Sequence, residues 1–294
     1  MNKKIILKKR PADRVVPTHA EQEHGDLLHH DVNTQYQKFH KAVASKSVSA
    51  VNDLLCRRRV DVNCRDGDGY TALMLAAEMK CYKIVKLLIN NHAEINLKNN
   101  YDDTALLLSI EAGHYSISEL LIENGADLKV ENRWGFTPLW ASIYSGDIRL
   151  LELLMSNGAD INAKDKYGCS ALGIAVSLNR EKFVAMLVRN GAAINSLTSD
   201  GWTPLMTAAF KGNPELVRYL LDEGADSSLK NQEGKTALDI AGSANNTEII
   251  NMLKDVMLCG QTSFNYIEYP GPPRHHEERY ADWVGKRKRR RLIW

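Results

Sequence analysis

Residues Asn132 to Ala163 read N-R-W-G-F-T-P-L-W-A-S-I-Y-S-G-D-I-R-L-L-E-L-L-M-S-N-G-A-D-I-N-A. This stretch decides the fold. Thr137 precedes an apolar run and suits a helix N-cap, its hydroxyl accepting from a free backbone N–H. Pro138 then falls at the first helical position, where a missing N–H costs nothing. Gly146 fits a turn into a second helix, whose Leu153-Leu154 pair sits at core spacing. Gly158 fits the end of that helix, where a left-handed residue closes it.

The same signals recur along the chain. Triplets of the form Thr/Ser-Ala/Pro-Leu begin at Thr71, Thr104, Thr137, Ser170, Thr203 and Thr236, 33 residues apart each time. Gly125-Ala126-Asp127, Gly158-Ala159-Asp160, Gly191-Ala192-Ala193 and Gly224-Ala225-Asp226 keep step with them. Phe39 to Val43, Val51 and Leu54-Leu55 read as a first unit without the triplet. Gly234 to Leu238, Ile249-Ile250 and Leu253 read as a last unit without the closing Gly-Ala-Asp. His92 stands where the closing Gly is expected, and Asp102 where a turn Gly is expected, so local strain is expected at both. No such unit buries its apolar face alone; stacked units share one core.

A fixed 33-residue period with T-P-L and G-A-D resembles the ankyrin repeat. The resemblance implies an all-α solenoid of about seven helix-turn-helix units with projecting turns. It covers residues 34–257, between a polar segment at 1–33 and a Pro/aromatic tail at 258–294, both expected to be flexible. It departs from the family at the helix position usually held by His, which here reads Met74, Leu107, Trp140, Gly173, Met206 and Asp239.

The chain has 294 residues, a net charge of +2 and 44% hydrophobic residues. Wholesale disorder is excluded by that apolar content, and no apolar run approaches the ~20 residues of a membrane span. Five scattered cysteines without a CxxC pair argue against a disulfide framework or a zinc module and for a reducing compartment. Charge is uneven: +5 over residues 1–16, −3 over 34–257 and +4 over 258–294.

No catalytic, cofactor-binding or metal-binding constellation is found. Gly234-Lys235-Thr236 resembles the end of a P-loop, but Leu229 stands where the leading Gly is required. The histidines at 19, 24, 29, 30, 275 and 276 lack the spacing of a closed metal site.

The resemblance places binding on the projecting turns and the inner face of the first helices. Carried onto this sequence, that surface comprises Tyr70, Tyr101, Trp134, Phe136, Trp140, Tyr144, Tyr167, Trp202, Met206 and Phe210. Met74, Met79, Leu107 and Leu178 lie on the same helix face. Trp and Tyr dominate interface hot spots, so an exposed apolar groove gripping a partner protein is expected. The competing reading is that the aromatics pack between turns and stiffen the array. Asn63, Asn96, Asn162 and Asn195 occupy a place where Asn can be hydroxylated in eukaryotic ankyrin proteins; a turn-stabilising amide is the alternative.

The run Lys286, Arg287, Lys288, Arg289, Arg290 and Arg291 resembles a nuclear import signal that an import receptor would read, or a patch for nucleic acid or an anionic membrane, the alternative being a plain solvated tail. Tyr280, Trp283 and Val284 have the spacing of a short helix that could fold back onto the groove. The expected protein is an intracellular, monomeric, non-catalytic interaction adaptor, cytoplasmic or nuclear, with no cofactor. Two alternatives stay open: a nucleic-acid-associated nuclear regulator using the basic tail, and an effector that an intracellular bacterium secretes into a host cell.

Overall fold

The computed structural model describes residues 34–57 and 60–258. The basic run at 286–291, the segment at 280–284 and the terminal histidine groups lie outside the described residues. Within them the triplet hydroxyls act as the sequence predicts. Thr71, Thr104, Thr137, Ser170, Thr203 and Thr236 are all extended N-caps, and each side chain accepts from the backbone N–H three residues on. Pro138 and Pro204 follow at the first helical position, and Pro214 does the same for a second helix.

The result is fourteen helices among the described residues, in seven consecutive pairs. They are α1 (34–44) and α2 (Val48–Cys56); α3 (Ala72–Glu78) and α4 (Tyr82–Asn90); α5 (Ala105–Glu111) and α6 (Tyr115–Glu123); α7 (Pro138–Ser145) and α8 (Ile148–Ser156); α9 (Ala171–Ser177) and α10 (Glu181–Arg189); α11 (Pro204–Lys211) and α12 (Pro214–Asp222); α13 (Ala237–Ser243) and α14 (Thr247–Leu258). From α3 to α13, each first helix packs on its own second helix and on the neighbouring first helices of that series. Second helices also meet their neighbours from α2 to α10, and α12 meets α14.

The core is a stack of period-33 rows. Leu73, Leu106, Leu139, Leu172, Leu205 and Leu238 of the triplets are buried, as are Leu88, Leu121, Leu154, Leu187, Leu220 and Leu253 of the second helices. The imperfect outer units join the same core through Phe39, Val43, Val51 and Leu55 at one end and Ile249 and Leu253 at the other. The rows also hold polar members: Ser118, buried between Val85 and Leu151 in register, shares a 2.8 Å hydrogen bond with buried Ser109.

The turn between paired helices requires a left-handed residue. Three pairs use Gly, but Lys46, Lys80, Asn179 and Asn245 take the same conformation with φ between 52° and 60°. His92 and Asp102 are left-handed too, at 62° and 61°, which fits the strain expected there. Asn179 and Asn245 belong to the residue type that tolerates this conformation, whereas Lys46 and Lys80 carry no such signal in the sequence.

Candidate functional site: the turn tips and inner helix face

Between successive pairs the chain makes a projecting hairpin tip. Its first residue is Asp66, Asn99, Asn132, Asp165, Thr198 or Asn231. In five of these tips the side-chain oxygen accepts from the backbone N–H groups two and four residues on; Asn132, for example, accepts from Trp134 at 3.1 Å and Phe136 at 3.0 Å. Thr198 accepts from Trp202 at 3.0 Å. The short polar side chain thus replaces a strand partner inside the tip.

Backbone bonds then join tip to tip: Asn100 N–H to Asp68 O, Arg133 N–H to Tyr101 O, Ser199 N–H to Tyr167 O and Gln232 N–H to Asp200 O, at 2.8–3.1 Å. At the far end of each unit an Asn amide clasps the next one. Asn162 donates to Gly191 O at 3.1 Å and accepts from Ala193 N–H at 2.8 Å. Asn96 does the same with Gly125 and Asp127, and Asn63 bonds both the backbone N–H and the carboxylate of Glu94. Asn195 accepts from Asp226 N–H at 2.9 Å. These amides are in use as turn stabilisers.

The expectation that the ten surface residues are exposed fails for seven. Tyr70, Trp134, Phe136, Trp140, Tyr144, Trp202 and Met206 are buried, Phe136 at 0% and Trp140 at 1% exposure. The reason is their place beside the cap. Tyr70, Phe136 and Trp202 immediately precede Thr71, Thr137 and Thr203, where an apolar side chain turns back onto the start of the helix. Phe136 meets Trp140 and Tyr144 edge to face at 6.1 and 5.3 Å, and Trp202 meets Phe210 at 6.0 Å. Met74, Leu107 and Met206 of the inner helix row are buried as well, whereas Met79 and Leu178 are half-buried.

In three of the six units the position usually held by His serves the cap instead. Met74 and Met206 sulfurs accept from Thr71 and Thr203 N–H, and the Asp239 carboxylate accepts from Thr236 N–H at 2.8 Å. One side-chain link between tips exists nearby: Asn132 donates to buried Asp103 at 2.9 Å.

Tyr101, Tyr167 and Phe210 are the half-buried members of the set. Tyr101 stacks on Trp134 with centroids 5.9 Å apart, and the Arg133 guanidinium lies over both rings, at 5.3 and 6.0 Å. Lys166 Nζ lies 5.2 Å from the Tyr167 ring. Such cation–aromatic contacts hold the cation in place at modest gain. The exposed partners on these tips are residues the sequence reading passed over: Lys98, Arg133, Lys164 and Lys166. Arg133 and Lys166 stand 33 residues apart and Lys98 and Lys164 stand 66 apart, but they are charged and therefore looked like ordinary solvated positions.

Other features carry less. An open cleft of about 490 Å³ on the outer face of the first pair is lined by Lys38, Lys41, Ala42, Ala50, Leu54 and Arg57, among others. Among the described residues no group of His, Cys, Asp and Glu could hold a metal ion. No described helix is long and apolar enough to cross a membrane. Burial pushes the Cys64 thiol up to about 12, with Asp61 adding to the effect.

The geometry is that of a helical repeat array with stacked hairpin tips, and sequence comparison agrees. The family model for ankyrin repeats in three copies matches residues 39–132, 124–198 and 182–260. The chain belongs to the ankyrin repeat family. Its structure is similar to the ankyrin repeat domain of Bcl-3, described as a unique member of the IkappaB protein family, with a TM-score of 0.68 and 30% identity over 74% of this chain and 97% of that one. It is also similar to the human ASB11 ankyrin repeat domain, with a TM-score of 0.64 and 24% identity over 77% and 99%. No curated protein matches the sequence. Ankyrin repeat domains generally mediate protein–protein interactions, and the fold is typically a non-catalytic module.

Proposed function

We propose that this chain is a non-catalytic interaction adaptor, acting inside the cell as a monomer, with residues 34–257 as its folded unit. The partner is a protein that lies across the hairpin tips and the inner face of the first helices. The observation that carries this reading is the layered construction of the tips. Buried Phe136, Trp140, Tyr144 and Trp202 fix the tips from below, so Tyr101, Tyr167, Leu178 and Phe210 are offered at the surface already ordered. A preformed surface loses little entropy on binding. The buried aromatics are then supports, and the half-buried ones make contact.

The test is capture of proteins from lysate by the full chain and by a Tyr167→Ser/Leu178→Ser variant, with circular dichroism to verify folding. A Glu152→Lys change on the exposed face of α8 serves as control. Partners kept by the control and lost by the double variant are expected. Identical capture by all three chains would exclude the tips and the inner face.

A further inference from the structure

We infer that the three tips between the second and fifth helix pairs recognise an acidic protein segment, whose carboxylates sit on Lys98, Arg133, Lys164 and Lys166. This rests on the adaptor reading and adds the chemistry of the partner.

Three observations converge there. First, the four cations occupy three successive tips, against only Asp102 and Glu131 as freely placed carboxylates; Asp103 and Asp165 are buried and engaged with the backbone. Second, none of the four is ion-paired among the described residues. Elsewhere cations do find partners: Arg149 meets Asp147 at 2.7 Å and Lys235 meets Glu233 at 3.5 Å. Third, the four side chains are already placed. Lys98 Nζ donates to Glu131 O at 3.2 Å, Lys164 Nζ to Leu197 O at 3.0 Å and Arg133 to Asn100 O at 2.5 Å, each across a repeat boundary. Lys166 rests on Tyr167. A lysine that bonds a carbonyl keeps its full charge and two further N–H donors, and an arginine keeps the donors for a carboxylate fork. The entropy of fixing long side chains, which usually cancels the gain from a surface ion pair, is therefore largely spent on folding.

The setting favours a short acidic segment over a nucleic acid. Residues 34–257 carry a net −3, with Glu94, Asp127, Asp160 and Asp226 exposed in the loops that follow the second helices. At physiological salt, charges screen beyond ~8 Å. A peptide lying on the tips feels the local cations, whereas a long polyanion must also pass the acidic remainder of the array. Tyr101 and Tyr167 flank the cations and offer apolar contact between the carboxylates.

The experiment is fluorescence anisotropy on the full chain with a labelled twelve-residue peptide of alternating Glu and Gly. Its Gln/Gly counterpart and an oligodeoxythymidylate of equal charge are the comparison probes. The Glu peptide is expected to bind at least tenfold more tightly than the Gln peptide, and Lys164→Gln/Lys166→Gln is expected to weaken it at least fivefold. Because residues 286–291 are themselves basic, a chain with those six changed to Gln is measured too, and it is expected to retain most of the binding. No binding, equal binding of the Gln peptide, or loss only in the tail variant overturns the inference. Tighter binding of the oligonucleotide with the same dependence on Lys164 and Lys166 assigns the strip to nucleic acid instead. Should the peptide fail while capture still depends on Tyr167 and Leu178, the charge reading falls and the adaptor reading stands.

Discussion

Replacing Gly113 and Gly168 separately by alanine tests why the tips need glycine. Both residues are left-handed, at φ 70° and 73°. A side chain costs roughly 1–2 kcal/mol in that conformation. Alanine returns about 0.4–1 kcal/mol by restricting the unfolded chain. At Gly113, in the turn between α5 and α6, a Cβ would meet nothing within 4 Å. The expected loss there is about 0.5–1 kcal/mol, the difference of those two terms. At Gly168 the Cβ would stand 2.8 Å from Ser199 N and 3.0 Å from Thr198 C, both backbone atoms of the next tip. Backbone cannot rotate aside as a side chain can, so the overpacking cost of about 1–3 kcal/mol is added. The expected loss is then about 1.5–4 kcal/mol, and it falls on the bond from Ser199 N–H to Tyr167 O. Urea unfolding followed by circular dichroism gives the totals, and amide exchange at Ser199 gives the location. Faster exchange at Ser199 is expected in the Gly168 variant alone. Equal losses in the two variants would refute the argument, because they would reduce both glycines to backbone conformation.

Other changes have equally direct outcomes. Lys80→Gly relieves an exposed left-handed lysine and is expected to raise stability by about 0.5–1 kcal/mol in the same urea assay. Leu154→Ala empties a fully buried site in the central row and is expected to cost about 2–5 kcal/mol. Asn162→Ala removes two bonds to the following unit and is expected to cost about 1–2 kcal/mol, with exchange at Ala193 N–H rising. The Cys64 thiol is raised in the folded chain from 9.0 to about 12, so folding favours its protonated form. That contribution is whole below pH 9 and is lost as pH rises from 9 towards 12. Cys64→Ala should flatten, without abolishing, the alkaline decline of stability, since burial raises Tyr115 and Tyr219 as well.

The repeat, its caps and its leucine rows were legible because they obey a strict period and each has one physical cause. Thr or Ser at a helix start and Leu two residues on mean the same thing in all six triplets. The surface was less legible. Phe136, seen alone, sits in a turn and looks exposed; only its place directly before the cap Thr137 shows that it folds back onto α7. Tyr70 and Trp202 stand in the same register, and that recurrence at 66-residue intervals was the available clue. The left-handed Lys46 and Lys80 could not be read, since lysine carries no preference for that conformation and the stacked helices impose it. The anion strip was hidden for a further reason. A lysine bonded to a carbonyl 33 residues away has the same letter as one waving in water.

The bonds that join tip to tip run along one edge of the array. On the opposite side the second helices meet through side chains, which slide more easily than hydrogen bonds stretch. The column is therefore an anisotropic spring. Spreading the tips apart breaks an amide bond at each joined interface, while compression or twist of the helical side costs only small repacking. A partner seated on the tips meets the stiff edge, and whatever it gains by binding is not spent on holding that edge together.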